Sequence, residues 1–139
     1  MAVVEAGRVV TSPAVQARSL YRFYRAGEEE TPALQGVSLS VPPGQLVAVI
    51  GRRDRASRPL LACLAGMDDP DGGVVRVAGQ RISHRRDRMR VLIRARQVGM
   101  MFPGANLMEH LTGRQNVALV RSRTSRSAHG PALLSSLGL

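Results

Sequence analysis

Apolar residues and serines alternate along the segment Val37–Val41, and this period of two is typical of a strand with one buried face. The alternation predicts a strand over Ala33–Val41. An earlier apolar segment predicts a first strand over Val15–Phe23. Between them, the acidic and glycine-containing stretch Arg25–Thr31 predicts a turn. The first part of the chain is therefore expected to form β-structure.

A different pattern follows the turn-forming sequence Pro42–Gly44. Residues Gln45–Ile50 form an apolar run without alternation, and the run ends at Gly51. Such a run is typical of a strand that is buried on both faces, as in a parallel sheet covered by helices. Beyond a polar loop, apolar side chains recur at helical spacing over Leu60–Ala65, and Gly66 stands where a helix C-cap is expected. The predicted unit is strand, loop and helix.

The rest of the chain alternates turn signals, short apolar runs and arginine-rich segments. Met100 and Met101 lie in one of the apolar runs and are expected to be core residues of a strand. The predicted elements are a turn at Asp68–Gly73, a strand at Val74–Val77, a basic helix at Arg81–Arg96, a short strand at Val98–Phe102, a helix at Leu107–Val120, an exposed linker at Arg121–Gly130 and a short helix at Ala132–Leu139.

Composition limits the chemistry that is open to this chain. It has 139 residues, of which 44% are apolar, and this suits one modest globular domain. The single cysteine, Cys63, excludes a disulfide framework and is expected to be a small buried hydrophobe. The separated residues His84, His110 and His129 lack the spacing of a structural zinc site, so no metal site is expected.

All 20 basic residues are arginines and only 10 residues are acidic, which gives a net charge of +10. The absence of lysine excludes reactions that need a side-chain amine, such as Schiff-base formation. It also excludes the lysine that grips a nucleotide phosphate in many phosphate-binding loops.

Neither a leader nor a membrane-spanning segment is expected. Residues Met1–Val10 carry Glu5 and Arg8 within a short apolar stretch, unlike a signal peptide. The longest uncharged run, Thr31–Gly51, is interrupted by Pro42–Gly44 and by polar side chains. We therefore expect no direct insertion into a membrane.

A buried strand that ends in glycine and turns into a helix is the architecture of a phosphate-binding loop, because backbone N–H groups there attract phosphate. This arrangement alone is weakly specific, but the order of segments around it is not generic. The segments are Ala33–Leu39, Pro43–Gly51, Leu60–Gly66, Pro70–Val75, Val98–Phe102 and Asn106–Thr112, followed by Asn116 and Val117. In this order, the chain from Leu20 to Leu139 resembles the N-terminal half of an ABC-transporter ATP-binding subunit of the lipoprotein-release and macrolide-export branch.

The resemblance implies an α/β fold of the P-loop NTPase type. The expected half-domain contains parallel core strands with helices, plus an N-terminal antiparallel β part. Residues 1–14 are expected to be a loose N-terminus, and residues 15–139 a partial nucleotide-binding domain that lacks its C-terminal portion. The family's signature motif, Walker B aspartate, catalytic glutamate and switch histidine are expected to lie beyond the end of this chain.

The phosphate-binding loop departs from the family pattern of Gly, four residues, Gly, Lys and Ser or Thr. By resemblance, Ala56 occupies the position of the second glycine, Ser57 that of the lysine, and Arg58 that of the hydroxyl that holds magnesium. The motif positions in order are Gly51, Arg52, Arg53, Asp54, Arg55, Ala56, Ser57, Arg58 and Pro59.

These replacements oppose the binding of a magnesium–triphosphate. A side chain at Ala56 costs about 1–2 kcal/mol if the backbone there is left-handed. Asp54 places a carboxylate among groups that should attract phosphate, and Ser57 removes the amine that stabilises the transferring phosphoryl group. Arg58 places a fixed cation where a divalent cation should bind, and like charges repel. We expect ATP binding, which the resemblance implies, to be weak or absent, magnesium not to bind, and this chain alone to be inactive as an ATPase.

Two further positions follow from the resemblance. The family's aromatic residue that stacks on adenine corresponds to Tyr24, for which an ordinary half-buried strand tyrosine is the alternative. The family's glutamine that reaches magnesium and senses the transmembrane partner corresponds to Pro103, which cannot do either. No catalytic residue is therefore assigned.

The arginines leave two alternatives open. The arginines of the loop, such as Arg52 and Arg55, either bind a polyanion or are solvated. In the second case, the loop is no longer selected for phosphate binding. The segment Arg81–Arg96 either binds nucleic acid or anionic lipid, or forms a charged surface helix. None of the four aromatic residues lies among these arginines, so few side chains there could stack on bases. Nucleic acid is therefore not the expected partner.

The resulting hypothesis is a degenerate, truncated ATP-binding subunit of a bacterial ABC transporter. By resemblance, its partners are a transmembrane permease subunit and a second nucleotide-binding subunit. Its expected location is the cytoplasm or the inner face of the plasma membrane. The alternative is a non-catalytic basic interaction module that binds a transporter subunit or an anionic polymer.

Overall fold

A four-stranded sheet and three helices account for the regular structure of the computed structural model. The structure describes residues 12–27, 29–50, 57–104 and 106–124. Contacts divide the chain into two units, Met1–Ile93 and Arg94–Leu139. The elements are β1 (Val15–Ala26), β2 (Glu29–Val41), α1 (Ser57–Leu64), β3 (Gly72–Val77), β4 (Gln80–Arg81), α2 (Asp87–Gln97) and α3 (Gly113–Thr124).

The sheet belongs to the first unit and has the order β2-β1-β3-β4. Each neighbouring pair is antiparallel, with Val15 of β1 opposite Val41 of β2 on one side and Val77 of β3 on the other. The strands predicted at Val15–Phe23 and Ala33–Val41 form, and both extend into Arg25–Thr31, so the predicted turn is shorter than expected. β1 therefore lies inside the sheet, between β2 and β3.

The core of the first unit lies between this sheet and α1. Leu20 of β1, Val75 of β3 and Ile82 after β4 have no exposed surface, and Cys63 of α1 is 1% exposed, as predicted. The buried hydroxyl of Ser83 accepts a hydrogen bond of 2.9 Å from the backbone N–H of Val75, so the polar group among these side chains is satisfied.

The end of α1 follows the sequence prediction at Gly66. This residue has a φ of +67°, which favours glycine. Its N–H donates to the carbonyl of Cys63 (3.0 Å), and the N–H of Met67 donates to the carbonyl of Ala62 (2.9 Å). The two bonds form a Schellman motif, which satisfies the last carbonyls of the helix.

The pairing of β1 with β3 contains a bulge between Arg18 and Tyr21. Ser19 has a φ of +48° there, and Gly73 on the opposite strand has a φ of +90°. A Cβ atom on Gly73 would overlap the carbonyl oxygens of Ser19 and Arg18. The close approach of these backbones therefore requires glycine at position 73.

The expected parallel core strand is not formed. Residues 45–50 are in neither strand nor helix, and Leu46 and Ile50 are 101% and 94% exposed. An apolar run is buried only where other strands and helices cover it. No described strand pairs with residues 45–50. The same holds for the short strand predicted at Val98–Phe102, since Met100 and Met101 are exposed rather than in a core.

In the second unit, α3 begins with a capping box. The Thr112 hydroxyl accepts the Gln115 N–H (3.3 Å), and the Gln115 side-chain oxygen accepts the Thr112 N–H (2.8 Å). The helix extends to Thr124, so the segment predicted as a linker from Arg121 begins as helix. The short helix predicted at Ala132–Leu139 lies outside the described residues.

None of the helices formed by the described residues combines the length and apolarity that a membrane crossing needs.

Candidate functional site

The phosphate-binding loop is described only at its helical end. Gly51, Arg52, Arg53, Asp54, Arg55 and Ala56 lie outside the described residues. Ser57, Arg58 and Pro59 form the first turn of α1, where Ser57 is half-buried, Arg58 is exposed and Pro59 is buried. The sequence predicted helical spacing from Leu60, and the structure begins the helix three residues earlier, at Ser57.

The first turn of α1 carries a cation and no carboxylate. It contains no acidic residue, and Arg58 adds a cation at the end of the helix that is already positive. Pro59 has no backbone N–H to offer a phosphate, although proline is well tolerated in this turn. The side chains that are present would attract an anion through Arg58 and would repel a divalent cation.

Tyr24 lies on β1, and its side chain is 43% exposed. The guanidinium of Arg22 lies over its ring, with Cζ 5.0 Å from the ring centroid. This distance is within the range of a cation–π interaction. The ring is therefore in contact with a cation and is partly exposed on the strand.

Arg22 is held in turn by two carboxylates of the Asp68–Gly73 turn. Its Nε and Nη2 donate to the two oxygens of Asp68 (2.9 and 3.0 Å), and its Nη1 donates to both oxygens of Asp71 (3.2 and 3.1 Å). The pKa of the Asp71 carboxyl is lowered by the backbone N–H of Phe23 and by Arg22. These charge-assisted hydrogen bonds join β1 to the chain that follows α1.

The other face of β1 carries the remaining aromatic residues of the strand. The rings of Tyr21 and Phe23 stack at a centroid distance of 6.5 Å and an interplanar angle of 13°. Tyr21 and Phe23 lie on the face opposite to that of Arg22 and Tyr24 because alternate residues of a strand point to opposite faces of the sheet. Tyr21 also lies against Gly36 and Gly72, so it is a structural residue.

A third carboxylate of the same turn, that of Asp69, holds α2. Asp69 accepts the backbone N–H of His84 (2.8 Å) and forms an ion pair with Arg90 (3.4 Å). Arg90 also donates to the carbonyl of Gly66 (3.1 Å), beyond the C-terminus of α1. The sequence predicted this stretch only as a turn. Its concentration of aspartates was the available signal, but partners 15 to 49 residues away could not be read from it.

The basic segment Arg81–Arg96 divides into structural and exposed arginines. Arg81 donates to the carbonyl of Ser83 (3.1 Å), and Arg90 is bound as described above. The arginines with exposed side chains are Arg85, Arg86, Arg88 and Arg96. Arg88 and Arg96 lie on α2, whereas Arg85 and Arg86 precede it. Three apolar residues of α2, Met89, Val91 and Leu92, are between 43% and 50% exposed. The α2 surface therefore mixes cations with apolar groups.

The structure does not unite the predicted site residues into one described pocket. Within the described ranges, no hydrogen bond or ring contact joins Tyr24 to the first turn of α1. Within the same ranges, no cluster of histidine, cysteine or carboxylate side chains could hold a metal ion. The described residues present two separate features. One is the exposed Tyr24 with the anchored guanidinium of Arg22, and the other is the first turn of α1 with Arg58.

Comparison with known proteins gives one consistent result, although no family model matches the chain. The lipoprotein-releasing system ATP-binding protein LolD of Xanthomonas oryzae is 34% identical over 143 aligned positions, which cover 99% of this chain and 58% of LolD. The macrolide export ATP-binding/permease protein MacB of Photorhabdus laumondii is 31% identical over 130 positions, which cover 90% of this chain and 20% of MacB.

Among solved structures, the dimeric ATP-binding cassette MJ0796 bound to ADP and phosphate matches with a TM-score of 0.76 and 25% identity. The match covers 90% of this chain and 57% of the cassette. The chain thus spans a little over half the length of LolD and of this cassette. The similarity confirms the predicted α/β fold class, while the described sheet is its antiparallel part.

Proposed function

The chain is a relative of the ATP-binding subunits of ABC transporters, and from this premise we propose that it is a degenerate member of that group. In this proposal the chain keeps a site for the nucleotide base at Tyr24, binds a magnesium–triphosphate weakly or not at all, and does not hydrolyse ATP. The observation that supports the proposal is the exposed Arg58 in the first turn of α1, at the position that the resemblance gives to the magnesium-binding hydroxyl.

The physical reason is electrostatic. A hydroxyl ligates magnesium through a lone pair, whereas a guanidinium has only donors and a fixed positive charge. Ser57 replaces the lysine that would neutralise the phosphate charge, and the chain has no other lysine. A triphosphate that reached this turn would meet the guanidinium of Arg58 without its metal ion.

Titration of the purified chain with a fluorescent ATP analogue, with and without magnesium, tests this proposal. We expect weak binding that magnesium does not improve. Micromolar binding that depends on magnesium in the unmodified chain would contradict it.

A reversion variant makes the test sharper. The triple change Ala56→Gly, Ser57→Lys and Arg58→Ser restores the family pattern, and we expect it to gain magnesium-dependent binding of the analogue. The exposed Arg25 provides a matched control, because Arg25→Ser removes one positive charge from the surface without restoring the loop. If the triple variant and the control behave alike, the loop is not the cause of the weak binding.

The proposal includes two partners and a location. MacB is named as an ATP-binding and permease protein, and the MJ0796 cassette is dimeric. For this chain we infer a transmembrane permease subunit, a second nucleotide-binding subunit and a position at the inner face of the membrane. Co-expression with a cognate permease should move the chain into the membrane fraction, whereas expression alone should leave it outside that fraction.

The surface of α2 favours a second candidate function. Its exposed arginines, together with the net charge of +10, would attract an anionic polymer or an acidic subunit surface. In this alternative the chain is a non-catalytic basic interaction module. Retention on immobilised nucleic acid that falls steeply with salt would support it, and retention that is indifferent to salt would exclude it.

A further inference from the structure

The contact between Arg22 and Tyr24 follows from their places on β1. The two residues are separated by one position, so they share a face of the strand. The guanidinium lies over the phenol ring at 5.0 Å from its centroid, while 43% of the tyrosine surface stays exposed. The cation therefore lies over an aromatic ring that is partly exposed.

The guanidinium cannot move freely, because the turn after α1 fixes it. Asp68 and Asp71 accept four hydrogen bonds from it, of 2.9 to 3.2 Å. The turn is itself tied to the strand on both sides of Arg22. The Asp71 N–H donates to the carbonyl of Tyr21 (2.9 Å), and an Asp71 side-chain oxygen accepts the Phe23 N–H (2.8 Å).

We propose that Arg22 is a positioning residue, which presets the Tyr24 ring for stacking on a neutral purine base. The inference rests on the proposed function, in which Tyr24 is the base site. An exposed aromatic side chain that is ordered before binding loses less conformational entropy when a ligand stacks on it. The anchored guanidinium supplies that order and leaves the ring accessible to the base.

The charges of the cluster favour the base over the phosphates. One guanidinium against two carboxylates leaves the anchor with a net negative charge. A polyphosphate gains nothing from such a cluster, whereas a purine base is uncharged and is bound by stacking. The ligand that this site fits is a nucleoside, and its binding does not require magnesium.

The chain offers a direct spectroscopic test. It contains two tyrosines and no tryptophan, so in the Tyr21→Phe variant Tyr24 is the sole tyrosine and dominates the ultraviolet fluorescence. We expect adenosine to quench this fluorescence saturably, with the same affinity in the presence and absence of magnesium. In this background Arg22→Gln should weaken adenosine binding about three- to tenfold, as expected when one side chain must be ordered on binding.

Arg25→Gln is the matched control. Arg25 lies on the same strand, but its ion pair is with the exposed Glu30. We expect this variant to bind adenosine as tightly as the parent does. Equal weakening in both variants would show a general charge effect and would overturn the positioning role.

A second readout separates positioning from stabilisation. Relaxation of the Tyr24 ring carbons, measured by NMR without ligand, should show a less ordered ring in Arg22→Gln and an unchanged ring in Arg25→Gln. Asp68→Asn is the variant to use if Arg22→Gln does not fold, because it weakens the anchor and keeps Arg22. We expect it to loosen the ring and to reduce affinity by a smaller factor.

The possible failures are distinct. If the parent chain does not bind adenosine at all, the proposed base site at Tyr24 is wrong, and the positioning role is wrong with it. If the parent binds adenosine and Tyr24→Ala abolishes binding, while the Arg22 and Asp68 variants change neither affinity nor ring order, only the positioning role is wrong.

Discussion

Gly73 of β3 lies directly against the backbone of Ser19 in β1, at a point where no side chain fits. Ser19 itself has a positive φ, so both strands are distorted where they meet. The contact explains why a glycine stands inside a strand, where it otherwise weakens the structure.

We expect Gly73→Ala to be among the most destabilising single changes in the chain. The substitution should lower the free energy of unfolding by about 1–2 kcal/mol because the backbone at position 73 is left-handed. The overlap of the new Cβ atom with the carbonyl of Ser19 should lower it further. Gly27→Ala is the matched control, since Gly27 also has a positive φ of +66° but has open space around it. Urea unfolding should show a clearly larger loss for Gly73→Ala, and equal losses would mean that the strands can separate.

The stability of the chain should fall in acid through Asp71. Its pKa is lowered by the Phe23 N–H and by Arg22, so the native state favours the ionised form. This contribution is present above the ordinary carboxyl value of 3.8 and is lost as the pH falls through the lower native pKa. Asp71→Asn should therefore flatten the dependence of the melting temperature on pH below about pH 5. Glu30→Gln, which changes an exposed ion pair, should leave that dependence as it is.

Cys63 should not react in the native protein. Burial raises the pKa of its thiol to about 11, and only 1% of its surface is exposed. Since the thiolate is the reactive form, a thiol reagent at pH 8 should modify Cys63 only when urea unfolds the chain. Rapid modification without urea would show that α1 opens readily.

The raised pKa of the Cys63 thiol also makes the stability of the protein depend on pH. The buried neutral thiol contributes stability below its ordinary pKa of 9.0, and this contribution is lost as the pH rises through about 11.

Asn116 should hold the loop that precedes α3. Its Oδ1 accepts the Met108 N–H (2.8 Å), and its Nδ2 donates to the carbonyls of Met108 and Leu111 (3.2 and 3.1 Å). Asn116→Ala removes these bonds and should cost about 1–2 kcal/mol. Hydrogen exchange should become faster at Met108 and Leu111. Arg114→Ala, a change of an exposed side chain on α3, is the control and should leave exchange there unchanged.

The elements that sequence reasoning predicted correctly are those specified by neighbouring residues. The end of α1 at Gly66 depends on bonds to residues three and five positions earlier, and a glycine after a helical pattern indicates them. The strand β2 follows from its own alternation, and β1 follows from an apolar segment of its own. Tyr24 lies on β1, one residue beyond the end of the predicted strand.

The elements that sequence reasoning missed depend on distant residues. The run Gln45–Ile50 has the composition of a buried strand, yet burial also needs covering strands, and no described strand supplies them. Likewise, the spacing of Arg22 and Tyr24 places them on one face, but Asp68 and Asp71 reach Arg22 from 46 and 49 residues away. Single-sequence patterns carry no information about that approach, so the anchor of the candidate base site is visible only in the structure.

The exposure of Gln45–Ile50 has a consequence for the behaviour of the protein in concentrated solution. Six uncharged residues of high β-propensity, without proline, are the kind of segment that stacks into fibrils. The chain brackets them with Pro42 and Pro43 on one side and with Arg52 and Arg53 on the other, and such flanking residues act as gatekeepers. We therefore expect replacement of these four neighbours to make fibril growth easier.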